Sequence, residues 1–478
     1  NHSLQVWFRI YFKRSQVKAP ASEAMKRGEV TAYLSLVFIL LMTFVGGIME
    51  SASIQMAKNY RRTDMNRAME SVFAEYQKEL LEEYEIFALD TGYETSQYGE
   101  DMVIRRLEYY GAQNMEHQVR RIQYLTDHGG LAFYEQVAAY MEQQYGIDLV
   151  KEQVGMTDMW KKQDEQIIEY EQTGKTEQEH LNQLLEEQEG ELPSEDNPIA
   201  YVEELKKSPI LSLVMPEEQQ VSEKKIALAS VVSKRQRNQG YGDFSDVTAK
   251  AGTVDHLLFG RYLTDHFGHA VSEEDKGALD YELEYLLAGK ESDRENLEAV
   301  VNQLLLFRFV PNYMHLQGSS TKKAEAEAMA LTLCSLLAVP AITQAAAQVI
   351  LLAWAYGECL MDVRALLNKG KVPLMKNEES WQLSLSDLLK LGQDKSLNDG
   401  QDTGNGLTYE EYLRILLFLE KKEALGMRAL DLIENNLRTK HGLTAFRADQ
   451  CVSKMEMDST CKLRKGIHYR FSTYFGYN

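Results

Sequence analysis

The sequence predicts a mainly α-helical protein with a small β element at its C-terminal end, and three observations predict this class. Residues 30–48, VTAYLSLVFILLMTFVGGI, form an uncharged apolar run. Only eight prolines interrupt the 478 residues, and apolar positions recur at helical spacing over most of the chain. The last segment alternates polar with aromatic residues, as strands do. We expect an N-terminal transmembrane helix that continues into a long helix, a helical ectodomain with a coiled-coil-like hairpin, and a C-terminal antiparallel β-hairpin.

The apolar run is long enough to be a membrane anchor, which we assign to residues 30–49. A helix of this length, at about 1.5 Å per residue, just crosses a hydrocarbon core of roughly 30 Å. Thr31, Ser35 and Thr43 can return their hydroxyls to carbonyls of the same helix, so they are tolerable in lipid. The alternative is a signal peptide cleaved near Ala52. The apolar pattern continues without a break into an amphipathic helix, and this favours a retained anchor.

The flanking charges predict the orientation of the anchor. Six basic residues precede the apolar run and four follow it within about twenty residues, so we expect the N-terminus in the cytoplasm and the body outside the cell. Residues 1–29, the expected cytoplasmic tail, carry a net charge of +4. Because the first methionine is Met25, we interpret residues 1–24 as an upstream extension. The alternative is a working cytoplasmic arm whose WFRIYFKR stretch lies on the membrane surface.

The acidic composition argues against several partners. The net charge is −20, which leaves −24 on the chain after residue 29. Nucleic acid needs a basic face that can release counterions, so nucleic-acid binding is not expected. The same balance provides no electrostatic attraction to anionic lipid or anionic cell-wall polymer.

Patterns of composition divide the body into four regions. The first contains stalk helices, expected over Met49–Leu89 and Val119–Tyr145, followed by a Gln/Glu-rich helical hairpin that turns near residues 172–175. The apolar segments 326–339 and 344–356 are too short to span a membrane and predict core helices. The regions are stalk and hairpin 50–190, linker and loop region 191–252, helical core 253–440, and β-hairpin 441–478 with strands over 443–455 and 462–474.

Four charged residues in strongly apolar surroundings predict a buried ion network. Glu358, Asp362 and Arg364 share one apolar helical stretch, and Arg308 stands alone in LLLFRFV. Carboxylates four residues apart lie on one helix face and could also perform acid/base or glycosidase chemistry. A buried network is the simpler interpretation, because charges in apolar helices require partners.

The remaining reactive residues predict little chemistry. Cys451 and Cys461 lie in the segment expected to form the hairpin, so they could face each other and form a disulfide outside the cell. Cys334 and Cys359 are expected to be buried small hydrophobes. A histidine cluster around His266 and His269 and a calcium-loop-like segment, residues 399–410, are better explained by a helix end and a flexible loop. We expect no metal, no cofactor and no catalytic residue.

The region around the anchor contains a recognisable series of residues: Arg27-Gly28, then residues 30–36, then Gly47-Ile48-Met49-Glu50. This series resembles the anchor of TadE/TadG-like proteins, minor pilin-like components associated with tight-adherence (Tad) pilus and type II secretion machinery. The resemblance implies a processing point at Gly28 and Glu29. The chain has Tyr33 where pseudopilins carry a glutamate, which departs from the pattern of fibre subunits.

Further segments of the chain resemble an uncharacterised family of long single-span proteins from Gram-positive anaerobes, which carry a domain of unknown function and occur in Tad-type clusters. The resembling segments are residues 71–76, 80–90, 295–297, 304–312, 354–367, 372–374, 407–413 and 431–434.

These resemblances imply a location and a context. We expect a non-enzymatic, membrane-anchored, pilin-like structural or assembly protein of a Tad-type pilus or secretion system. Its expected partners are the lipid bilayer, other Tad-type components and copies of itself. A surface adhesin or cell-wall-binding module is one alternative, and an ectoenzyme that uses Glu358 and Asp362 is another.

Overall fold

The computed structural model describes residues 21–216, 219–246, 252–272, 277–335, 337, 339–392, 400 and 402–477. The expected cytoplasmic tail lies outside these residues as far as residue 20. The described chain is mainly helical, with a long apolar helix at its N-terminal end and a small antiparallel sheet that includes the C-terminal segment. The predicted fold class is therefore confirmed.

The elements run in the following order along the described chain. The helices are α1 Ala21–Phe73, α2 Lys78–Tyr84, α3 Glu100–Tyr109, α4 Leu131–Tyr145, α5 Lys151–Val154, α6 Thr157–Glu187, α7 Pro198–Leu205, α8 Ile210–Val214, α9 Thr253–His266, α10 Glu282–Ala288, α11 Asp293–Gly318, α12 Ser320–Leu333, α13 Pro340–Leu367, α14 Leu385–Leu388, α15 Tyr409–Leu419 and α16 Lys422–Lys440. The strands are β1 Leu89–Asp90, β2 Glu116–Tyr124, β3 Cys451–Lys462 and β4 His468–Gly476.

Helix α1 runs from the apolar segment into the folded body because no proline interrupts residues 21–73. Its apolar part is bare: Leu40 is 64% exposed, whereas Met69 and Phe73 near the other end are 1% exposed. By length and composition, the helix is long and apolar enough to cross a membrane.

The prediction of a single helix over Met49–Leu89 is wrong at its end. α1 stops at Phe73, and the short helix α2 follows after a turn. The turn separates two sets of apolar side chains, because Phe73 packs in a small cluster with the sheet whereas Leu80 packs in the main core.

Strand β3 is the centre of the sheet. β2 pairs with one edge of β3. β4 and β1 pair with successive parts of the other edge, and all three pairings are antiparallel. The predicted C-terminal hairpin is present, but β3 runs through the residues expected to form its turn. The chain reverses instead at Lys465 and Gly466, which both have positive φ angles of 60° and 74°. Such angles fit the tight turns that connect twisted strands.

Strand β2 contradicts the helix expected over Val119–Tyr145, of which only the later part is helical, in α4. Val119 and Ile122 are buried against β3 and α1 in the small cluster. The partner strand lies several hundred residues later, so local periodicity could not reveal the pairing.

The predicted Gln/Glu-rich hairpin is also wrong. Helix α6 is continuous over Thr157–Glu187, and Gly174 lies inside it with open space around its Cα. A glycine in a helix interior costs only about 1 kcal/mol, which the packing of α6 offsets. Trp160 and Leu181 are buried, and Gln163 donates to the Phe307 carbonyl at 2.8 Å, so α6 lies along the core and does not project from it.

Helices α9 to α16 build the main core with α4, α6 and the expected linker region. The apolar segments expected in the core lie in α12 and α13, and α13 is buried along most of its length. The linker region is more closely packed than expected, because α7 and α8 lie against α13 and Val231 and Val232 are buried.

The core encloses a carboxyl group at the start of α10. Glu284 is fully buried and accepts hydrogen bonds from the Ala270 amide at 2.9 Å and the Tyr409 hydroxyl at 2.7 Å. Burial is the main cause that raises the pKa of Glu284 to about 7, and the nearby Asp293 carboxylate contributes to that rise.

The Glu284 carboxyl therefore links stability to pH. Its pKa is higher in the folded protein, so its contribution is fully present below about pH 4.5 and is lost as the pH rises through about 7. The resulting decrease in the free energy of unfolding amounts to about 3 kcal/mol. We expect the stability of Glu284→Gln relative to the wild type to be greater at pH 8 than at pH 5. Urea denaturation of both proteins at the two pH values measures this difference.

The comparison between the two proteins cancels the contribution of other titrating groups. A conservative control is Glu410→Gln, which changes a partly exposed carboxylate of α15. The assignment to Glu284 is contradicted if the stability difference between wild type and Glu284→Gln is the same at both pH values.

Candidate functional site

The expected ion network joins helix α11 to helix α13. Arg308 is fully buried, and its Nε donates to Asp362 Oδ2 at 3.0 Å. The same guanidinium donates to the Leu374 carbonyl at 2.8 Å and to the Tyr412 hydroxyl at 3.0 Å, and Asn312 donates to Asp362 at 2.9 Å. The planar guanidinium thereby connects two helices and a loop.

A lysine that the sequence analysis did not include completes the network. Lys376 Nζ lies 2.6 Å from Glu358 Oε1 and 2.7 Å from Asp362 Oδ1, and its side chain is fully buried. Glu358 also accepts the backbone amides of Gln382 and Leu383 at 2.9 and 2.8 Å. Two carboxylates thus share two cations, and Lys376 had no signal in its polar local sequence, VPLMKNEES.

Arg364 does not join this network. It lies on α13 with Glu358 and Asp362 but donates to the Leu213 carbonyl of α8. The sequence grouped it with Asp362 because both occupy one helix. Two residues along a helix point about 200° apart, which explains the separation.

The surroundings of Glu358 and Asp362 shift the pKa values of the two carboxyl groups in opposite directions. Burial raises the pKa of Glu358 above its ordinary value, against the lowering effect of Lys376. Burial also acts on Asp362, but Arg308 and Lys376 outweigh it and hold the pKa of Asp362 below its ordinary value. Both side chains are fully buried, and each contacts a cation of the network.

The expected disulfide between Cys451 and Cys461 is contradicted. Both residues lie on β3, ten positions apart, and both are free thiols. A strand rises about 3.3 Å per residue, so their Cα atoms lie far beyond the roughly 7 Å that a disulfide can bridge. Cys334 and Cys359 are buried free thiols, as expected.

The histidine cluster has structural roles. His266 Nδ1 donates to the Tyr262 carbonyl at 2.9 Å, and the His266 ring stacks on the Tyr262 ring. Asp399 and Gln401 of the calcium-loop-like segment lie outside the described residues. Within the described part of the chain, no group of three or more His, Cys, Asp or Glu side chains is arranged to hold a metal ion.

The residues expected at the processing point lie in α1. Gly28 and Glu29 are both exposed, and open space surrounds Gly28. They stand at the start of the apolar segment, and cleavage there stays a prediction.

The end of α1 and strand β4 form the contact that connects the apolar helix to the body. The Phe73 and Phe475 rings stack at 4.5 Å between centroids, and the Tyr477 hydroxyl donates to the Phe73 carbonyl. Asn66 and Met69 continue this contact beside Thr473. The resulting unit is a long helix, bare in its first part and packed on an antiparallel sheet in its last part.

An open groove of about 370 Å³ lies beside this contact. Aromatic residues line much of it, and Tyr76 is the most exposed of them, at 36%. Phe87 packs edge-on against Tyr76 and stacks on Tyr477, so most of the aromatic faces contact one another. The aromatic residues are Phe73, Tyr76, Phe87, Phe475 and Tyr477.

Comparison with known proteins places the main body in one family. Residues 188–463, more than half of the chain, match DUF5702, which is described as a family of unknown function. The chain belongs to the DUF5702 family. The DUF5702 region contains the whole ion network and β3, whereas α1, β1, β2 and β4 lie outside it.

The remaining comparisons add no relative. No curated protein matches the chain, and no solved structure matches it. The DUF5702 match carries no connection to TadE/TadG-like proteins.

Breaking the buried network by removing one of its charges should destabilise the protein strongly. Removing one cation leaves two buried carboxylates with a single partner, so we expect Lys376→Met to destabilise the protein by about 3–5 kcal/mol. Urea denaturation followed by tryptophan fluorescence measures this effect, because Trp354 lies beside the network and donates to the Leu383 carbonyl at 2.8 Å. The double variant Lys376→Met with Glu358→Gln should recover part of the stability that Lys376→Met loses.

Lys390→Met is the matched control. Lys390 pairs with Asp387 at 3.0 Å, but 57% of its side chain is exposed. Exposed pairs contribute little, so the control should change stability by less than about 1 kcal/mol. Equal effects of the two substitutions would contradict a structural role for the network.

Proposed function

We propose that this chain is a non-enzymatic, membrane-anchored, pilin-like structural or assembly protein of a Tad-type pilus or secretion system. One observation carries the proposal: a single helix, α1, is bare and apolar in its first part and packed against a small antiparallel sheet in its last part. A helix of this kind can anchor a body in the bilayer and present a long apolar surface to neighbouring helices.

The exposed part of α1 is more apolar than a soluble protein tolerates. Leu36, Phe38 and Phe44 are each more than 60% exposed. Lipid, or the matching helices of other subunits, would cover these side chains. The proposed partners are therefore the bilayer, other Tad-type components and further copies of this chain.

The buried chemistry supports a structural role. Glu358 and Asp362 are enclosed with their cations, and the described residues contain no metal-binding group. The proposed orientation places the N-terminus in the cytoplasm and the body outside the cell, from the distribution of basic residues around the anchor.

Photo-crosslinking from the anchor tests the assembly proposal. A photoreactive phenylalanine analogue at Phe44 should form protein adducts in native membranes, with copies of this chain or with products of neighbouring genes. The same analogue at Tyr109, which is 73% exposed on α3, is the control and should form fewer adducts. Adducts to lipid alone at Phe44 would count against assembly through α1.

N-terminal sequencing of the membrane-bound chain addresses processing separately. A chain that begins at Glu29, and a longer chain after Gly28→Ala, would establish cleavage at Gly28.

The aromatic groove favours the adhesin or cell-wall-binding alternative as a second candidate. The exposed Tyr76 ring provides an apolar surface against which a ligand can pack, and Tyr76 also offers a hydroxyl. If this alternative holds, the full chain binds isolated cell wall or glycans, and Tyr76→Ala weakens that binding about tenfold, the equivalent of roughly 1.4 kcal/mol.

Tyr109→Ala is the matched control, because Tyr109 is exposed but lies outside the groove. The alternative fails if the wild-type chain does not bind, or if both substitutions weaken binding equally.

A further inference from the structure

The charge of this acidic chain is unevenly distributed, and a basic region lies next to the apolar helix. Residues 51–67 of α1 contain four basic residues and one acidic residue. Residues 459–478 contain four basic residues and no acidic residue. The two segments therefore have a combined charge of +7 in a chain whose net charge is −20. The basic residues are Lys58, Arg61, Arg62, Arg67, Lys462, Arg464, Lys465 and Arg470.

The fold brings these two segments together. Lys58 Nζ lies 5.2 Å from the centre of the Tyr469 ring, and the Arg62 guanidinium lies 5.9 Å from that of Phe471. Residues 51–67 of α1 and strand β4 run away from the apolar part of α1 in the same direction, since Lys465 contacts Glu50 and the later residues of β4 contact later residues of α1.

The turn between β3 and β4 lies at the level where the apolar segment ends. Lys465 forms an ion pair with Glu50, which follows the last apolar residue of the run by two positions. Two residues correspond to about 3 Å along a helix. If α1 crosses the bilayer as proposed above, this turn lies at the height of the lipid headgroups.

The shape of the turn presents its charges outward. Lys462, Arg464 and Lys465 are exposed, and two positive φ angles at Lys465 and Gly466 hold the turn tight. The flanking Leu463 and Ile467 are half-buried. Basic side chains beside apolar ones suit the boundary between headgroups and acyl chains.

The acidic residues near this region cancel only part of its charge. Glu50 pairs with Lys465, and Asp458 pairs with Arg470 at 2.6 Å. Glu116 is exposed on β2, opposite Thr460. Lys462 and Arg464 have no acidic neighbour among these residues, and both are free to face an anionic surface.

We propose that the β3–β4 turn, residues 462–468, rests on the headgroups of an anionic bilayer and forms a second, electrostatic membrane contact beside the anchor. This inference rests on the proposed anchoring of α1. The contact would limit the tilt of the body relative to the membrane, because it lies beside α1 and is rigidly joined to it through β4. The acidic net charge of the chain does not reveal this contact, because the attraction depends on the charge within about 10 Å of the lipid and not on the whole chain.

A pair of spin labels on β4 tests the contact in the full chain. His468 and Tyr474 project from the same exposed face of the strand, and six residues separate them by about 20 Å. Single labels at His468→Cys and Tyr474→Cys are compared in vesicles of phosphatidylcholine alone and of phosphatidylcholine with phosphatidylglycerol. Accessibility to oxygen and to a neutral nickel complex reports the depth of each label.

The label at residue 468 should move to headgroup depth only in the phosphatidylglycerol vesicles, and the label at 474 should stay aqueous in both. Raising NaCl from 0.1 M to 1 M shortens the screening length from about 10 Å to about 3 Å and should release the 468 label. Lys462→Gln with Arg464→Gln should abolish the lipid dependence. The matched control, Lys207→Gln with Lys440→Gln, neutralises two exposed lysines elsewhere and should leave it unchanged.

Three results would overturn the contact. The 468 label could have the same depth in both lipid mixtures, its shift could survive 1 M NaCl, or it could respond only to an added protein partner. Alkaline extraction distinguishes these results from failure of the anchor: a chain that stays in the membrane while its 468 label remains aqueous retains the anchor and lacks only the contact.

Discussion

The architecture depends on the packing of the last turns of α1 against strand β4. Phe73 and Phe475 stack there, and the Tyr477 hydroxyl donates to the Phe73 carbonyl, so residues as far as 404 positions apart in the sequence meet in one small core. This contact fixes the direction in which the apolar helix leaves the body. It also places the β3–β4 turn beside Glu50. Every proposal about membrane and partners follows from that geometry.

The main core contains charged side chains that are shielded from solvent. Arg308, Lys376, Glu358 and Asp362 neutralise one another, and backbone amides satisfy the remaining carboxylate oxygens of Glu358. Such a network contributes little net stability compared with apolar packing, but it penalises alternative arrangements of α11, α13 and the loop after α13. A network of this kind therefore explains charged residues in apolar helices without invoking catalysis.

Net charge is a poor guide to local electrostatics in this protein. The body is acidic, yet the segments of α1 and β4 that meet beside the apolar helix are basic. Screening confines electrostatic attraction to short distances, so the charge close to a surface determines whether that surface attracts. The remainder of the chain is acidic, whereas the basic region lies beside the apolar helix, where an anionic bilayer would meet it if that helix spans the membrane.

The sequence by itself determined the features that depend on local pattern: the apolar helix, the helical body, the C-terminal hairpin and the isolation of Arg308, Glu358 and Asp362 in apolar surroundings. Hydrophobic periodicity and uncharged length are properties of neighbouring residues, so they can be recognised without a structure. Only the tertiary structure decided that β2 is a strand, that α6 continues through Gly174, that Cys451 and Cys461 share one strand, and that Lys376 enters the ion network. Each of these depends on a partner far away in the chain, and distant contacts override the weak local preferences of a glycine, a lysine or a short amphipathic segment.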